Sequence, residues 1–80
     1  MNSVVREPVP QLRAMLPGDL PLVADIERRS YDFPWSRGIF RDCLLAGYTC
    51  LLIEVEDEPR GYGILSVAAG EAHLLNLCVD

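Results

Sequence analysis

Residues 71–80, Glu-Ala-His-Leu-Leu-Asn-Leu-Cys-Val-Asp, limit the folds open to this chain more than any other stretch. Apolar side chains fall at both parities, placing Ala72, Leu74 and Cys78 on one predicted face and Leu75, Leu77 and Val79 on the other. A strand reads this way when layers cover it on both sides. The pattern therefore predicts an interior strand rather than an edge. It is nevertheless the last element in the sequence, with no hairpin or helix after it to pair its far side. A central strand in that position predicts a domain that is incomplete.

A chain of 80 residues holds one domain at most, and at this size folding hides only about 60% of the unfolded surface. Half the residues are hydrophobic and 24% are charged, a globular balance without the bias of a disordered segment. Net charge is -5, and Arg28 and Arg29 are the only adjacent basic pair, so no surface is predicted that would track nucleic-acid phosphates. The acidic balance suits a basic protein or peptide partner, or simply solubility. Cys43, Cys50 and Cys78 lack CxxC spacing and sit among apolar neighbours, which predicts reduced, packed thiols. The only histidine, His73, is not at a ligand spacing from any of them, and no metal site is predicted. No run approaches the roughly 18 apolar residues of a membrane span, and the N-terminus lacks the apolar core of a signal peptide. The expected location is the cytoplasm.

Along the chain, residues 1–10 carry two prolines and no periodicity, and read as a loose leader. Residues 11–16 alternate Leu12, Ala14, Leu16 against Gln11, Arg13, Met15, a half-buried strand closed by Pro17-Gly18. Asp19 is placed as an N-cap with Pro21 in the first turn, predicting a helix to about residue 30. Tyr31-Asp32-Phe33-Pro34-Trp35 follows, an unusually apolar loop whose proline excludes the helical conformation at Phe33. Ser36 caps a second helix with Ile39, Phe40, Cys43 and Leu44 on one face, and Gly47 ends it. Residues 49–55 are rich in β-formers, and Glu56-Asp57-Glu58-Pro59 makes the next turn. Residues 60–68 form a third strand whose Gly61 and Gly63 predict a bulge or a close backbone approach. Ala69-Gly70 turns the chain into the final strand. The predicted fold is mixed α/β in the order β-α-α-β-β-β, with a mainly antiparallel sheet.

Asp19-Leu20-Pro21, Ile26-Glu27, Phe33-Pro34-Trp35-Ser36 and Glu71-Ala72 followed by Leu75-Asn76-Leu77-Cys78-Val79-Asp80 carry a likeness to a known family. Taken in register over residues 11–80, they resemble the N-terminal half of the RimI-type ribosomal-protein-alanine N-acetyltransferases of the GNAT superfamily. The resemblance implies a GNAT domain portion spanning residues 11–80 and cut off after the fourth strand. It implies acetyl-CoA as co-substrate, with backbone groups of Leu77, Cys78 and Val79 at a bulged strand end meeting the pantetheine arm. Physically, a thioester carbonyl needs a fixed N–H donor where negative charge develops, and a bulge leaves such donors unpaired. It also implies that Tyr31, Phe33, Pro34 and Trp35 line the groove for the acceptor, a ribosomal-protein N-terminus. For Trp35, a plug sealing the first helix against the sheet is the competing role.

Acetyl transfer to an α-amine needs a base, because such an amine, with a pKa of about 8, is mostly protonated at neutral pH. In the family the base is a Glu on the next strand and the acid a Tyr further on, so no catalytic residue is expected within this chain. The Gly-rich loop that holds the pyrophosphate is likewise expected beyond Asp80. Glu71 lies too near the turn for a substitute base, Glu27 reads as a solvated helix carboxylate, and His73 as a hydrogen-bonded structural residue. The 80 residues alone are expected to be inactive. Two other readings stay open: a GNAT enzyme acting on a small-molecule amine, and a noncatalytic interaction module that dimerises or exchanges strands through its exposed final strand.

Overall fold

The computed structural model describes residues 9–79. The predicted leader falls mostly outside the described residues, as does Asp80. The elements run β1 (Gln11–Ala14), a single turn of 3-10 helix over Pro17–Asp19, α1 (Leu20–Ser30), α2 (Arg37–Leu45), β2 (Thr49–Val55), β3 (Glu58–Ala68) and β4 (Glu71–Val79). The strands form one four-stranded sheet in the order β1-β2-β3-β4, every neighbouring pair antiparallel. The mixed α/β class and the predicted element order both stand.

Local chemistry explains the joints. Glu56 and Asp57 take φ of 53° and 65°, and Ala69 and Gly70 take 52° and 79°. Two consecutive left-handed residues make the tight turn whose twist matches antiparallel strands. α2 begins with the Ser36 hydroxyl accepting the Ile39 N–H at 3.3 Å. It ends with Gly47 at φ 79°, where the Tyr48 N–H reaches the Cys43 carbonyl and the Gly47 N–H reaches Leu44. That bond pair is a Schellman cap.

Asp19 departs from its predicted role. Its carboxylate makes no cap bond to α1; it accepts the Leu16 N–H at 2.8 Å and both terminal nitrogens of Arg13 at 2.8 Å. Arg13 also donates from Nε to Glu54 at 3.0 Å. A two-pronged guanidinium bond outcompetes a single backbone cap, and it holds the Asp19 carboxyl below its ordinary pKa.

Both helices pack on one face of the sheet, α1 over β3 and α2 over β2. Val23, Ile26, Phe40, Cys43, Cys50, Leu52, Tyr62, Ile64 and Cys78 make the core there. Phe40 stands edge-on to Tyr62 at 5.3 Å and tilted to Trp35 at 5.4 Å. All three cysteines are free and buried, and burial raises the thiol pKa of Cys43 and Cys50. Met15, not Leu12 or Leu16, is the buried residue of the first segment.

β4 corrects the prediction that it is interior. Among the described residues it lies at the sheet edge, and Leu74, Leu77 and Val79 are exposed. The face assignment also changes. Ile64 pairs with Asn76 but Leu65 pairs with Leu74, so Leu75 is an unpaired extra residue in β4. Cross-strand partners share a face, and one inserted residue reverses the alternation beyond it. Cys78, paired with buried Tyr62, therefore lies on the helix-covered face, opposite Ala72 and Leu74 rather than beside them. The bulge precedes Leu77 instead of ending the strand.

Gly61 shows the predicted close approach. A Cβ there would sit 2.3 Å from the Cys78 carbonyl oxygen and 3.0 Å from the Val79 Cα. Gly63 has only ordinary contacts, the nearest 3.7 Å away on Leu77.

Candidate functional site

An open cleft of about 450 Å³ runs along the outer edge of β4, where the loop after α1 faces the bulge. Glu27, Tyr31, Phe33 and Trp35 line one side; Leu74, Leu75, Asn76 and Leu77 line the other. Position follows from sequence. Pro34 keeps Phe33 out of the helical conformation, so the chain leaves α1 extended, with Tyr31 at φ -130° and ψ 145°. The Tyr31 hydroxyl then reaches across the cleft to donate to the Leu77 carbonyl at 2.7 Å. That carbonyl faces away from β3, as the free side of an edge strand does.

Of the predicted acceptor-side residues, Tyr31, Phe33 and Trp35 converge here, while Pro34 lines a separate hollow with Pro21, Ala24 and Arg28 on the far side of α1. Phe33 is 95% exposed, a side chain held out with nothing packed on it. Trp35 packs against the core beside Phe40 and also lines the cleft. Of the predicted cofactor-side residues, only Leu77 reaches the cleft. Cys78 is buried on the helix-covered face, and Val79 lies on the open face.

Glu27 is the residue that sequence reasoning misplaced. It is 2% exposed, not solvated. Its Oε1 accepts the Tyr62 hydroxyl and, at 2.8 Å, the Asn76 amide; its Oε2 accepts the Trp35 backbone N–H at 2.8 Å. Burial first, and then the Glu27 carboxylate, push the Tyr62 pKa well up, so that hydroxyl remains a neutral donor. Tyr31 is likewise raised, by desolvation first and by nearby charge. The available signal was positional: Val23, Ile26 and Glu27 share one helix face, and two of them are apolar.

His73 and Glu71 stand apart from the cleft residues. They are exposed beside the turn after β3 and lie 3.3 Å apart, so the expected hydrogen bond of His73 is to a neighbour on its own strand at the surface. Among the described residues, no three His, Cys, Asp or Glu side chains converge as a metal site requires, and no helix is long and apolar enough to cross a membrane.

A four-stranded antiparallel sheet carrying two helices on one face, with its fourth strand bulged, is a partial GNAT fold of the RimI type. The particular likeness is to the crystal structure of the ribosomal-protein-S18-alanine N-acetyltransferase from Escherichia coli, at a TM-score of 0.80 and 28% sequence identity. The match covers 90% of this chain and 46% of that one, so the chain spans about half the length of the protein it resembles. No protein-family model and no curated protein sequence matches the chain.

Proposed function

We propose that the chain supplies the acceptor wall and the thioester-side strand of an acetyl-CoA-dependent N-α-acetyltransferase whose acceptor is the N-terminal alanine of a ribosomal protein. The observation that carries this reading is the cleft itself. An apolar loop of Tyr31, Phe33 and Trp35 faces a bulged edge strand, and the Tyr31 hydroxyl rests on the Leu77 carbonyl. The likeness to the E. coli enzyme supports it.

Acetyl-CoA would supply the acetyl group as a thioester. The pantetheine arm would lie along the edge of β4, where the backbone carbonyl of Leu77 accepts a hydroxyl that a ligand can displace. Leu77, Cys78 and Val79 act through their backbone: the Cys78 thiol is buried, and the Leu77 and Val79 side chains lie on the opposite face of the sheet. The diphosphate finds no matching cradle among the described residues. α1 opens with Leu20-Pro21, and the Ile39 N–H at the start of α2 is already taken by Ser36.

Among the described residues of the cleft, none is placed to deprotonate the acceptor. Glu71 and His73 are bound to each other near the turn, and Glu27 already receives three donors. Under this reading the residues of this chain bind and position, and the 80 residues alone are expected to transfer no acetyl group. Residues 11–80 are then a portion of a GNAT domain in a cytoplasmic protein.

An NMR titration with acetyl-CoA, and separately with an Ala-initiated peptide, tests the reading. The peptide is expected to shift Tyr31, Phe33 and Trp35, and acetyl-CoA to shift Leu77, Cys78 and Val79 weakly. Shifts confined to other surfaces overturn the reading, and a small polyamine reproducing the peptide's shifts favours a small-molecule acceptor. Acetyl-CoA binding at micromolar affinity would refute the need for a separate diphosphate loop.

The open edge of β4 favours a second reading, a noncatalytic module that pairs with another copy of the chain. A monodisperse monomer at high concentration with a cooperative melt contradicts it.

A further inference from the structure

Buried carboxylates are ordinarily paired with a cation, because desolvating an unpaired charge is strongly unfavourable. Glu27 is 2% exposed, and none of the ion pairs among the described residues includes it. What surrounds it is three neutral donors from three segments: Tyr62 on β3, Asn76 on β4 and the backbone N–H of Trp35 in the loop. An apolar residue would hold α1 to the sheet as Val23 and Ile26 already do, but it would leave all three donors unsatisfied.

The segments tied together are the two walls of the cleft. Asn76 is the residue directly after the unpaired Leu75, so its bond to Glu27 fixes the strand just past the bulge. Trp35 lies between Pro34 and the Ser36 cap, outside both helices, and its amide has the Glu27 carboxylate as its partner. We propose that Glu27 is a positioning residue: its carboxylate clamps the aromatic loop to the strand just past the bulge and thereby sets the width of the cleft. This deepens the acetyl-transfer reading, resting on it only for what the cleft admits. Hydrogen bonds from several segments to one buried acceptor select a single geometry where packing alone tolerates several.

The test uses the 80-residue chain without ligand, reading amide exchange by NMR and the fluorescence of Trp35, the only tryptophan. In the wild type the Trp35 amide exchanges at least about tenfold more slowly than a free peptide. Glu27→Met keeps similar volume and removes every acceptor. It should speed Trp35 exchange by about tenfold or more and move the emission to the red, while Leu52 and Ile64 keep their protection. Glu27→Gln returns one acceptor oxygen and should give intermediate Trp35 protection. If Glu27→Met unfolds the chain, seen as lost protection at Leu52 and Ile64, the Gln variant decides. Wild-type exchange at the free-peptide rate overturns the proposal. So does Trp35 protection equal to wild type in a folded Met variant or, failing that, in the Gln variant. No acetyl donor or acceptor is present, so failure here and failure of the acetyl-transfer reading are separate results.

Discussion

The two faces of the sheet are made by the same strands and both carry apolar side chains, yet only one is a core. On the helix side Leu52, Tyr62 and Ile64 have no exposure. On the other side Leu12, Val67, Leu74, Leu77 and Val79 stand open, each roughly half exposed or more. Alternation cannot tell these faces apart, because it records what a strand is built to bury and not what is present to bury it. Helices decide the matter: Val23, Ile26, Phe40 and Cys43 all point to one side. The open side has the composition of a surface meant to be covered, and contiguous exposed apolar patches on soluble proteins mark interaction sites.

The contrast is broken or sharpened by substitution, beginning with the largest effect. Ile64→Ala, on the covered face, should cost about 3–4 kcal/mol in a urea titration, while Leu74→Ala on the open face should cost under about 1 kcal/mol. Equal losses would show that the open face is covered in solution. Gly61→Ala comes next, since its Cβ would meet the Cys78 carbonyl at 2.3 Å. It should cost about 1–3 kcal/mol and speed amide exchange in β4 more than in β2.

The Arg13 cluster at the far side of the sheet gives a smaller, pH-dependent effect. The Asp19 carboxyl sits below its ordinary pKa of 3.8, chiefly through its bonds to Arg13. Folded protein thus binds fewer protons there than unfolded protein. The stabilisation is complete above pH 3.8 and is lost as pH falls from that value through the lower folded pKa. Asp19→Asn should cost about 1 kcal/mol at neutral pH and flatten that acid-side slope in melts taken at successive pH values. Smallest of all, Tyr31→Phe removes one exposed bond to Leu77 and should leave the melting transition nearly unchanged. Its signature is a shift of the Leu77 carbonyl carbon with the core amides unmoved.

Most of the fold was legible because it is written in local chemistry. Ser36, Gly47, Pro34 and the two tight turns each act through their nearest neighbours in sequence. The reading failed where a partner was distant or a count changed. Glu27 looked like a solvated carboxylate because its strand partners, Tyr62 and Asn76, lie 35 and 49 residues away. Asp19 looked like a cap because nothing local shows that Arg13 folds back upon it. The extra residue at Leu75 is invisible to a period of two, and missing it put Cys78 on the wrong face. The aromatic loop stood out in the sequence as unusually apolar, but its meeting with β4 through Tyr31 and Leu77 appears only in three dimensions.

The central claim is that this loop and this strand edge together receive a peptide amine. Titrating the chain with an Ala-initiated peptide, free and N-acetylated, while following Trp35 fluorescence tests it most directly. A saturable change with the free peptide and a much weaker one with the blocked peptide is the predicted result. No change with either, or the same change with both, would contradict it.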